Sequence, residues 1–329
     1  MAPTQDRLFI GVDIGGTKVA VGLVDVLGNI RSRERAAMPA SGSAKEGLEA
    51  VVAAIDLLFV HDPKLRDAIA GVGVCAPGPL DPTVGVILNP PNLKCWHNFH
   101  LADEMRKIYG VNVKVDNDGN AAGLAEARWG AGRGFRRVFS TGLGTGIGTG
   151  IIFDGELYHG RTGAAGEGGH MSIDYKGPPC GCGKPGCIEI LAAGPAIARR
   201  ARSKLMAANA SSEMLSLARG DVSAVTSEIV GKAFAAGDAL AKEVLVETVE
   251  LLALWLSNIV DLLDVDVIVL GGGAGAMLIP LLDLLHQRMD HYCVNPRSSE
   301  IPLLPAHYGA DAGIAGGAAL CSSEMFLTN

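Results

Sequence analysis

Two stretches of this chain read as the same device: an apolar strand, a glycine-rich turn and a second apolar strand. "RLFIGVDIGGTKVAVGLVD" comes near the start, and "RRVFSTGLGTGIGTGIIFD" repeats the pattern from residue 136. A turn dense in glycine lets successive backbone N–H groups close on an anion, and apolar strands on either side must be buried. The repeat predicts two α/β halves, each built around such a hairpin. With 329 residues the chain is long enough to give each half its own core.

The remaining elements alternate in the way that hypothesis requires. "LGN" opens a third strand, a helical stretch covers about 45–60, and "AIAGVGVCAPGPL" is a buried strand running into a Pro/Gly loop. "HLADEMRKIYG" is a helix with Gly110 as its C′ residue, "VNVKVDND" a strand, and "DGNAAGLAEARWG" a helix starting behind Asp118. The first 120 residues therefore give β-β-β-α-β-α-β-α, an α/β pattern. Further on, helices are expected near 194–209, 222–236 and 238–263. In the last of these Leu245, Val249, Leu252, Leu256, Ile259 and Leu263 recur at helical spacing and form a core face. "VDVIVL" is a buried strand, "GGGAGAM" a turn into a helix, and "GADAGIAGGAALC" a closing helix of small residues. No low-complexity linker separates the halves, which should form two lobes with a ligand-binding cleft.

Composition removes several classes of function. A net charge of −7, with acidic residues spread along the chain, argues against a nucleic-acid surface. No 18-residue apolar span is present, since the uncharged stretch Val138–Phe153 is broken by five glycines. The start lacks a basic region followed by an apolar one, so no secretory signal is read. Seven cysteines, three of them clustered, suit a reduced compartment and a metal rather than a disulfide framework. A cytoplasmic enzyme is the expectation.

The motifs supply the chemistry. In "DIGGTK" the glycines admit an anion, Thr17 adds a hydroxyl and Asp13 could hold a hydrated magnesium; an ordinary hairpin turn fits the same letters. "GTGIG", Gly144–Gly148 with Thr145, is the second such turn, and one hairpin per half would clamp a polyphosphate. Neither is a P-loop. "GGGAGA" at 271–276 matches a dinucleotide fingerprint formally, but it lies late in the chain and lacks the acidic residue that ends the second strand. "NDGNAAGLAE" sets Asn117 and Asp118 at a strand end. A carboxylate there can take the proton of an attacking hydroxyl; taken alone, Asp118 serves equally as a helix N-cap.

"GEGGH" contributes Glu167 and His170 just before the cysteine cluster "PCGCGKPGC". His170, Cys180, Cys182 and Cys187 offer one nitrogen and three thiolates, a closed tetrahedral zinc set with no position left for an activated water. The zinc reading is structural. Cys75, Cys95, Cys293 and Cys321 read as core residues.

With "DIGGTK", "APGPL", "PNLKCW", "NDGNAA", "LGTGIG", "GEGGH" and "CGCGKPGC" in order, the chain resembles the ROK family of repressors and sugar kinases from about Phe9 to Leu320. The resemblance implies the two-lobed actin-like ATPase (RNase H-like) α/β fold, with a cleft between the lobes. An N-terminal lobe over 1–118 would be joined by a returning C-terminal helix at about 309–329, and a larger lobe over 119–308 would carry the zinc loop. It implies that Asp13, Gly15, Gly16, Thr17 and Lys18 form the first phosphate hairpin and Gly144, Thr145 and Gly146 the second. Gly271, Gly272 and Gly273 would meet the adenosine. Asp118 would be the general base, with Gly78, Asn92, Asn117, Glu167, His170 and Glu189 on the other sugar hydroxyls and His170 shared with zinc. Thr149 stands where the family usually has glycine, and so does Ala125 before Glu126.

Family repressors carry an additional DNA-binding helix-turn-helix; only about eight residues precede the first strand here, which favours a kinase. The expected activity is ATP- and Mg²⁺-dependent transfer of the γ-phosphoryl group to the 6-hydroxyl of glucose, a step of carbohydrate metabolism that feeds glycolysis. The expected partners are ATP and a hexose, without nucleic acid or membrane, and the family expectation for assembly is a homodimer. N-acetylmannosamine kinases share nearly the same residues and remain the alternative, as do fructose and mannose kinases. A non-catalytic sugar sensor and, from "GGGAGA", a dinucleotide oxidoreductase are the readings from other classes.

Overall fold

The computed structural model describes residues 7–39, 41–208 and 211–322, which group into two compact units. The first comprises 1–134, 150–166 and 308–329. It begins with β1 (Leu8–Ile14), β2 (Lys18–Asp25) and β3 (Ile30–Ala37), an antiparallel meander, followed by α1 (Ala44–Leu57). Ser43 and Glu46 form a capping box at the start of α1. Next come β4 (Ile69–Ala76), the short ribbon β5 (Leu80–Asp81) and β6 (Val86–Ile87), α2 (Leu101–Tyr109), β7 (Asn112–Asn117) and α3 (Asp118–Arg128). Gly110 ends α2 in the left-handed conformation expected of it, at φ 65°.

The first sheet has the order β3-β2-β1-β4-β7, with β1, β4 and β7 parallel. Its core joins Ile10, Val12, Val72, Val74 and Val113 from the strands to Val51, Ile55 and Met105 from the helices. Parallel strands covered by helices read as continuous apolar runs, which is how β1 and β4 are legible in the sequence.

The second unit, 135–149 and 167–307, holds β8 (Arg137–Leu143) and the start of β9 (Ile147–Phe153). β9 continues into the first unit, where β10 (Glu156–Leu157) pairs with its end. Helices α4 (Ile188–Ala192), α5 (Gly194–Ala208), α6 (Glu213–Leu217), α7 (Ser227–Ala235) and α8 (Ala239–Leu263) follow, then β11 (Val267–Gly271), α9 (Gly273–Ala276), α10 (Leu282–Tyr292) and β12 (Leu303–Pro305). The second sheet runs β10-β9-β8-β11-β12. α8 buries Leu245, Val249, Leu252, Leu256 and Ile259 as the spacing predicts, while Leu263 is half-buried. Its Trp255 meets Phe139 of β8 edge-on, with ring centroids 5.8 Å apart.

Two expectations need correction, and two short helices were not anticipated. The helix expected over 222–236 starts at Ser227: Asp221 holds Val222–Ala224 in a separate 3₁₀ turn, and Thr226 then caps the helix through the Ile229 N–H. The short helices α4 and α6 carry no readable period. The helix expected behind Asp118 includes Asp118 as its first residue, because Asn117 is the N-cap and accepts the Gly119 N–H at 2.9 Å. Residue 209 of the expected helix 194–209 and residues 1–6 and 323–329 lie outside the described residues.

The last element, α11 (Ala312–Cys321), packs in the first unit against β1, β4 and α3. Glycines make that approach possible. A Cβ at Gly11 would collide with the Ile314 carbonyl, one at Gly73 with the Gly317 carbonyl, and one at Gly316 would lie 2.6 Å from the Ala121 carbonyl carbon. Glu126, buried in α3, accepts the Tyr308 N–H at 3.0 Å and the Ala131 N–H at 2.9 Å, fixing the entry into this helix.

Candidate functional site

In the first unit the parallel strands bring their C-terminal ends to one edge of the sheet, where α/β folds place ligands. Asp13 of β1 is in register with Cys75 of β4, and Cys75 with Asp116 of β7. The first hairpin turn follows β1: the Gly15 N–H donates to the Lys18 carbonyl at 2.8 Å, and Thr17 and Lys18 are exposed. Gly16 packs tightly on the next loop: a Cβ there would stand 3.1 Å from the Asn92 carbonyl oxygen. Asn92 belongs to the "PNLKCW" loop, which buried Trp96 anchors by donating from Nε1 to the Ala44 carbonyl at 3.1 Å. Gly78, after β4, precedes a cis Pro79; a Cβ on it would lie 3.8 Å from Asn117 Nδ2. Thus Asp13, Gly15, Gly16, Thr17, Lys18, Gly78, Asn92, Asn117 and Asp118 all belong to this one unit.

Two carboxyls at this edge hold their protons more tightly than usual. Burial, and then the negative charge of Asp118, raise Asp13 to about 6. Asp118 is also raised, by the protein that surrounds it, against the pull of the Gly119 N–H. Its carboxylate nevertheless reaches solvent, so it is both a strengthened base and an accessible one. Gly313, at the start of α11, leaves room for Asp13, since a Cβ there would collide with the carboxylate. Cys75 is buried as expected and donates to the Gly313 carbonyl at 3.0 Å.

The second unit repeats the arrangement. β8 and β11 are parallel neighbours, with Gly142 opposite Gly271. The turn after β8 closes by a Gly144 N–H to Gly146 carbonyl bond of 2.9 Å, with Thr145 at its apex. The turn after β11 crosses beneath it: Gly272 has φ 81°, and a Cβ there would collide with the Leu143 backbone. Gly272 therefore sits against Leu143, the last strand residue before the Gly144–Gly146 turn.

Glu167 precedes, and His170 ends, a 3₁₀ turn held from three sides. Trp255 Nε1 donates to the Gly168 carbonyl at 3.1 Å, the Gly168 N–H donates to Thr149 Oγ1 at 3.0 Å, and Gly169 lies so close to the Ile147 carbonyl that a Cβ would collide with it. Thr149, the departure from the family's glycine, is thus an acceptor for the loop that carries Glu167. The other departure, Ala125, is fully buried in α3. Glu189 of α4 accepts the Ile147 N–H through Oε2 at 2.9 Å and sets Oε1 3.9 Å from His170 Nδ1.

The ligand atoms of His170, Cys180, Cys182 and Cys187 lie within 4.8 Å of one another. His170 Nδ1 is 3.6 Å from Cys180 Sγ, and the Cys182 and Cys187 sulfurs are 3.5 Å apart. Tetrahedral bonds of about 2.3 Å to sulfur and about 2.0 Å to nitrogen put ligands roughly 3.5–3.8 Å apart, so the set fits a four-coordinate zinc. Burial, and then the neighbouring thiols, push Cys187 up; a cation among the sulfurs relieves that repulsion.

One group escaped the sequence reading. Asp116 is buried among three donors: its Oδ1 accepts the Asn117 N–H at 2.7 Å and Asn120 Nδ2 at 3.0 Å, and its Oδ2 is 2.6 Å from His159 Nε2. Strand alternation places residue 116 with exposed Asn112 and Lys114, so nothing local signals its burial. His159 lines a cavity of about 480 Å³ in the first unit with Lys114, Arg128 and Arg161.

Comparison with known proteins agrees with this architecture. The model of the ROK family matches residues 9–324. The glucokinase of Halalkalibacterium halodurans is 31% identical over 321 residues, covering 97% of this chain and 96% of its own. N-acetylmannosamine kinase of Escherichia fergusonii is 32% identical over 315 residues, covering 96% and 98%. The ROK family glucokinase of Streptomyces griseus, solved in complex with glucose and AMPPNP, superposes with a TM-score of 0.81 at 34% identity, covering 95% and 98%.

Proposed function

We infer that this chain, which belongs to the ROK family and has its two-lobed actin-like sugar-kinase fold, is an ATP-dependent hexose kinase of the glucokinase type. The observation that carries the reading is Asp118: an accessible carboxylate at the first turn of α3, raised in pKa, beside Asp13 and the first glycine turn. Full-length likeness to glucokinases at 31–34% identity supports glucose as the acceptor.

In this mechanism the sugar's 6-hydroxyl gives its proton to Asp118 as O6 forms a bond to the γ-phosphorus. The bond from that phosphorus to the β,γ-bridging oxygen breaks, and ADP leaves with the bridging oxygen. The N–H groups of Gly16, Thr17 and Lys18 face the phosphates from one hairpin, whose turn the Gly15 N–H closes, and those of Thr145 and Gly146 from the other, whose turn the Gly144 N–H closes. Asp13 holds the magnesium that enters with ATP, and the turn Gly271–Gly273 faces the adenosine. Gly78, Asn92, Asn117, Glu167, His170 and Glu189 orient the sugar. His170, Cys180, Cys182 and Cys187 hold zinc, which supplies a cross-link to the loop and takes no part in transfer. We place the reaction in the cytoplasm, with a homodimer as the working assembly; among the described residues no helix is long and apolar enough to cross a membrane.

ADP release with magnesium, ATP and each of glucose, mannose, fructose, glucosamine and N-acetylmannosamine tests the assignment. Glucose should give the highest kcat/KM. The likeness to N-acetylmannosamine kinase at 32% identity favours that sugar as the second reading, and a preference for it would replace glucose. ADP release with none of them would leave a sugar sensor.

A further inference from the structure

We propose that His159 is a positioning residue for phosphoryl transfer, acting through Asp116 on the segment Asn117–Asp118; this rests on the kinase reading above. The geometry is a relay of short bonds within one unit. His159 Nε2 lies 2.6 Å from Asp116 Oδ2, while Asp116 Oδ1 accepts the backbone N–H of Asn117 and the side chain of Asn120. The carboxylate so held is next in sequence to the cap of α3 and one turn below Asn120, so it sets where the helix starts. Asp118 is the first residue of that helix, and its side chain is aimed by the same backbone.

The burial shows what each partner contributes. The Asp116 side chain is 4% exposed and the His159 side chain 33%. A carboxylate this enclosed is tolerated only when its lone pairs are met by donors. β7 is the sheet's edge strand, bonded to β4 on one side only, so no further strand covers Asp116 on the other, where it lines the cavity with His159. The cover is the segment after β10, which brings His159 in from 43 residues along the chain. The hydrogen bond to Asp116 raises the pKa of His159 against the opposing effect of burial, and so favours the charged imidazolium in this pair. Glu156 adds to that rise, and Lys114, Arg128 and Arg161 line the adjoining cavity.

His159 does not itself meet the reacting atoms, and so the effect belongs on turnover rather than on ground-state binding. A carboxylate base displaced by a fraction of an ångström still permits sugar to bind but reduces the fraction of complexes in attack geometry. The test compares wild type, His159→Ala, His159→Gln and Asp116→Asn by steady-state kinetics, by glucose titration calorimetry and by thermal unfolding. We expect His159→Ala to lower kcat about tenfold or more while the glucose dissociation constant stays within about threefold. His159→Gln, whose amide can donate to Asp116, should recover most of the rate, and Asp116→Asn should lose it again.

An unchanged kcat in folded His159→Ala overturns the proposal, as does a loss of glucose affinity equal to the loss of rate. Should His159→Ala not fold, equal rates for wild type and Asp116→Asn would overturn it instead. A wild-type chain that phosphorylates no sugar defeats the kinase reading and this proposal together, which separates that outcome from an active enzyme indifferent to His159.

Discussion

Glu189 accepts the backbone N–H of Ile147 at 2.9 Å, and this one bond ties the helix after the last clustered cysteine to the second glycine turn. The Gly194 N–H reinforces it, donating to the Gly144 carbonyl at 2.9 Å. A Cβ on Gly146 would stand 2.5 Å from Glu189 Oε2, so a side chain there would have to displace the carboxylate. The cysteine cluster is therefore connected to the second glycine turn as well as to the Glu167–His170 loop.

That connection sets what removing a thiolate should do. Cys182 is the exposed member of the four, so Cys182→Ala leaves no large cavity. The variant should fall from about one zinc per chain to a small fraction, as four-ligand sites do when a ligand is lost. Glucose affinity and the KM for ATP should both worsen, by roughly tenfold. Metal analysis together with calorimetry checks this. Zinc lost with both constants intact would mean that the cluster supports neither loop.

Replacing Asp118 with Asn keeps the shape and removes the base. Turnover should drop by about 10²–10⁴-fold with glucose binding nearly unchanged, the usual worth of a positioned general base. Single-turnover kinetics with ATP in excess separates this from slow product release. A variant with near-normal turnover takes Asp118 out of the mechanism.

Asp13 gives a pH signature in the ligand-free chain. Its folded pKa of about 6 lies above the ordinary value of 3.8. Between those values the folded chain binds more protons than the unfolded one, so stability falls as pH rises through this window. Above it the group opposes folding by roughly 1–3 kcal/mol. Asp13→Asn should accordingly raise the unfolding temperature near neutral pH, and much less near pH 4, when measured by calorimetry without magnesium. Equal gains at both pH values would show that charge is not the cause.

Thr149→Val preserves shape and removes the acceptor for the Gly168 N–H. A part-buried donor left without its partner costs about 1–3 kcal/mol. We expect lower stability in denaturant and weaker glucose binding through the Glu167–His170 loop, with the KM for ATP little changed. Isothermal calorimetry with each ligand distinguishes the two effects.

The seat of α11 tests the packing. Gly73→Ala forces a methyl group against the Gly317 carbonyl, where no flexible side chain can yield. Overpacking of this kind costs about 1–3 kcal/mol or more, so urea unfolding should shift to markedly lower midpoints. An unshifted midpoint would mean that the helix moves away at little cost.

The strands of both hairpins, the core face of α8, the glycine turns and the cysteine set were legible in the sequence because each is a local pattern. Apolar alternation, 3.6-residue spacing and ligand spacing depend on residues that are near one another in the chain. Tertiary structure alone decided the rest. It made Asn117 rather than Asp118 the helix cap, because the choice turns on one backbone angle and one 2.9 Å bond. It joined Glu189 to Ile147 across 42 residues and buried Asp116 under His159 across 43. It also explained Gly11 and Gly73, which look like weak points in strands until α11 arrives from the far end of the chain and needs their missing side chains. Such contacts depend on which surfaces meet after folding, and no short-range spacing encodes that.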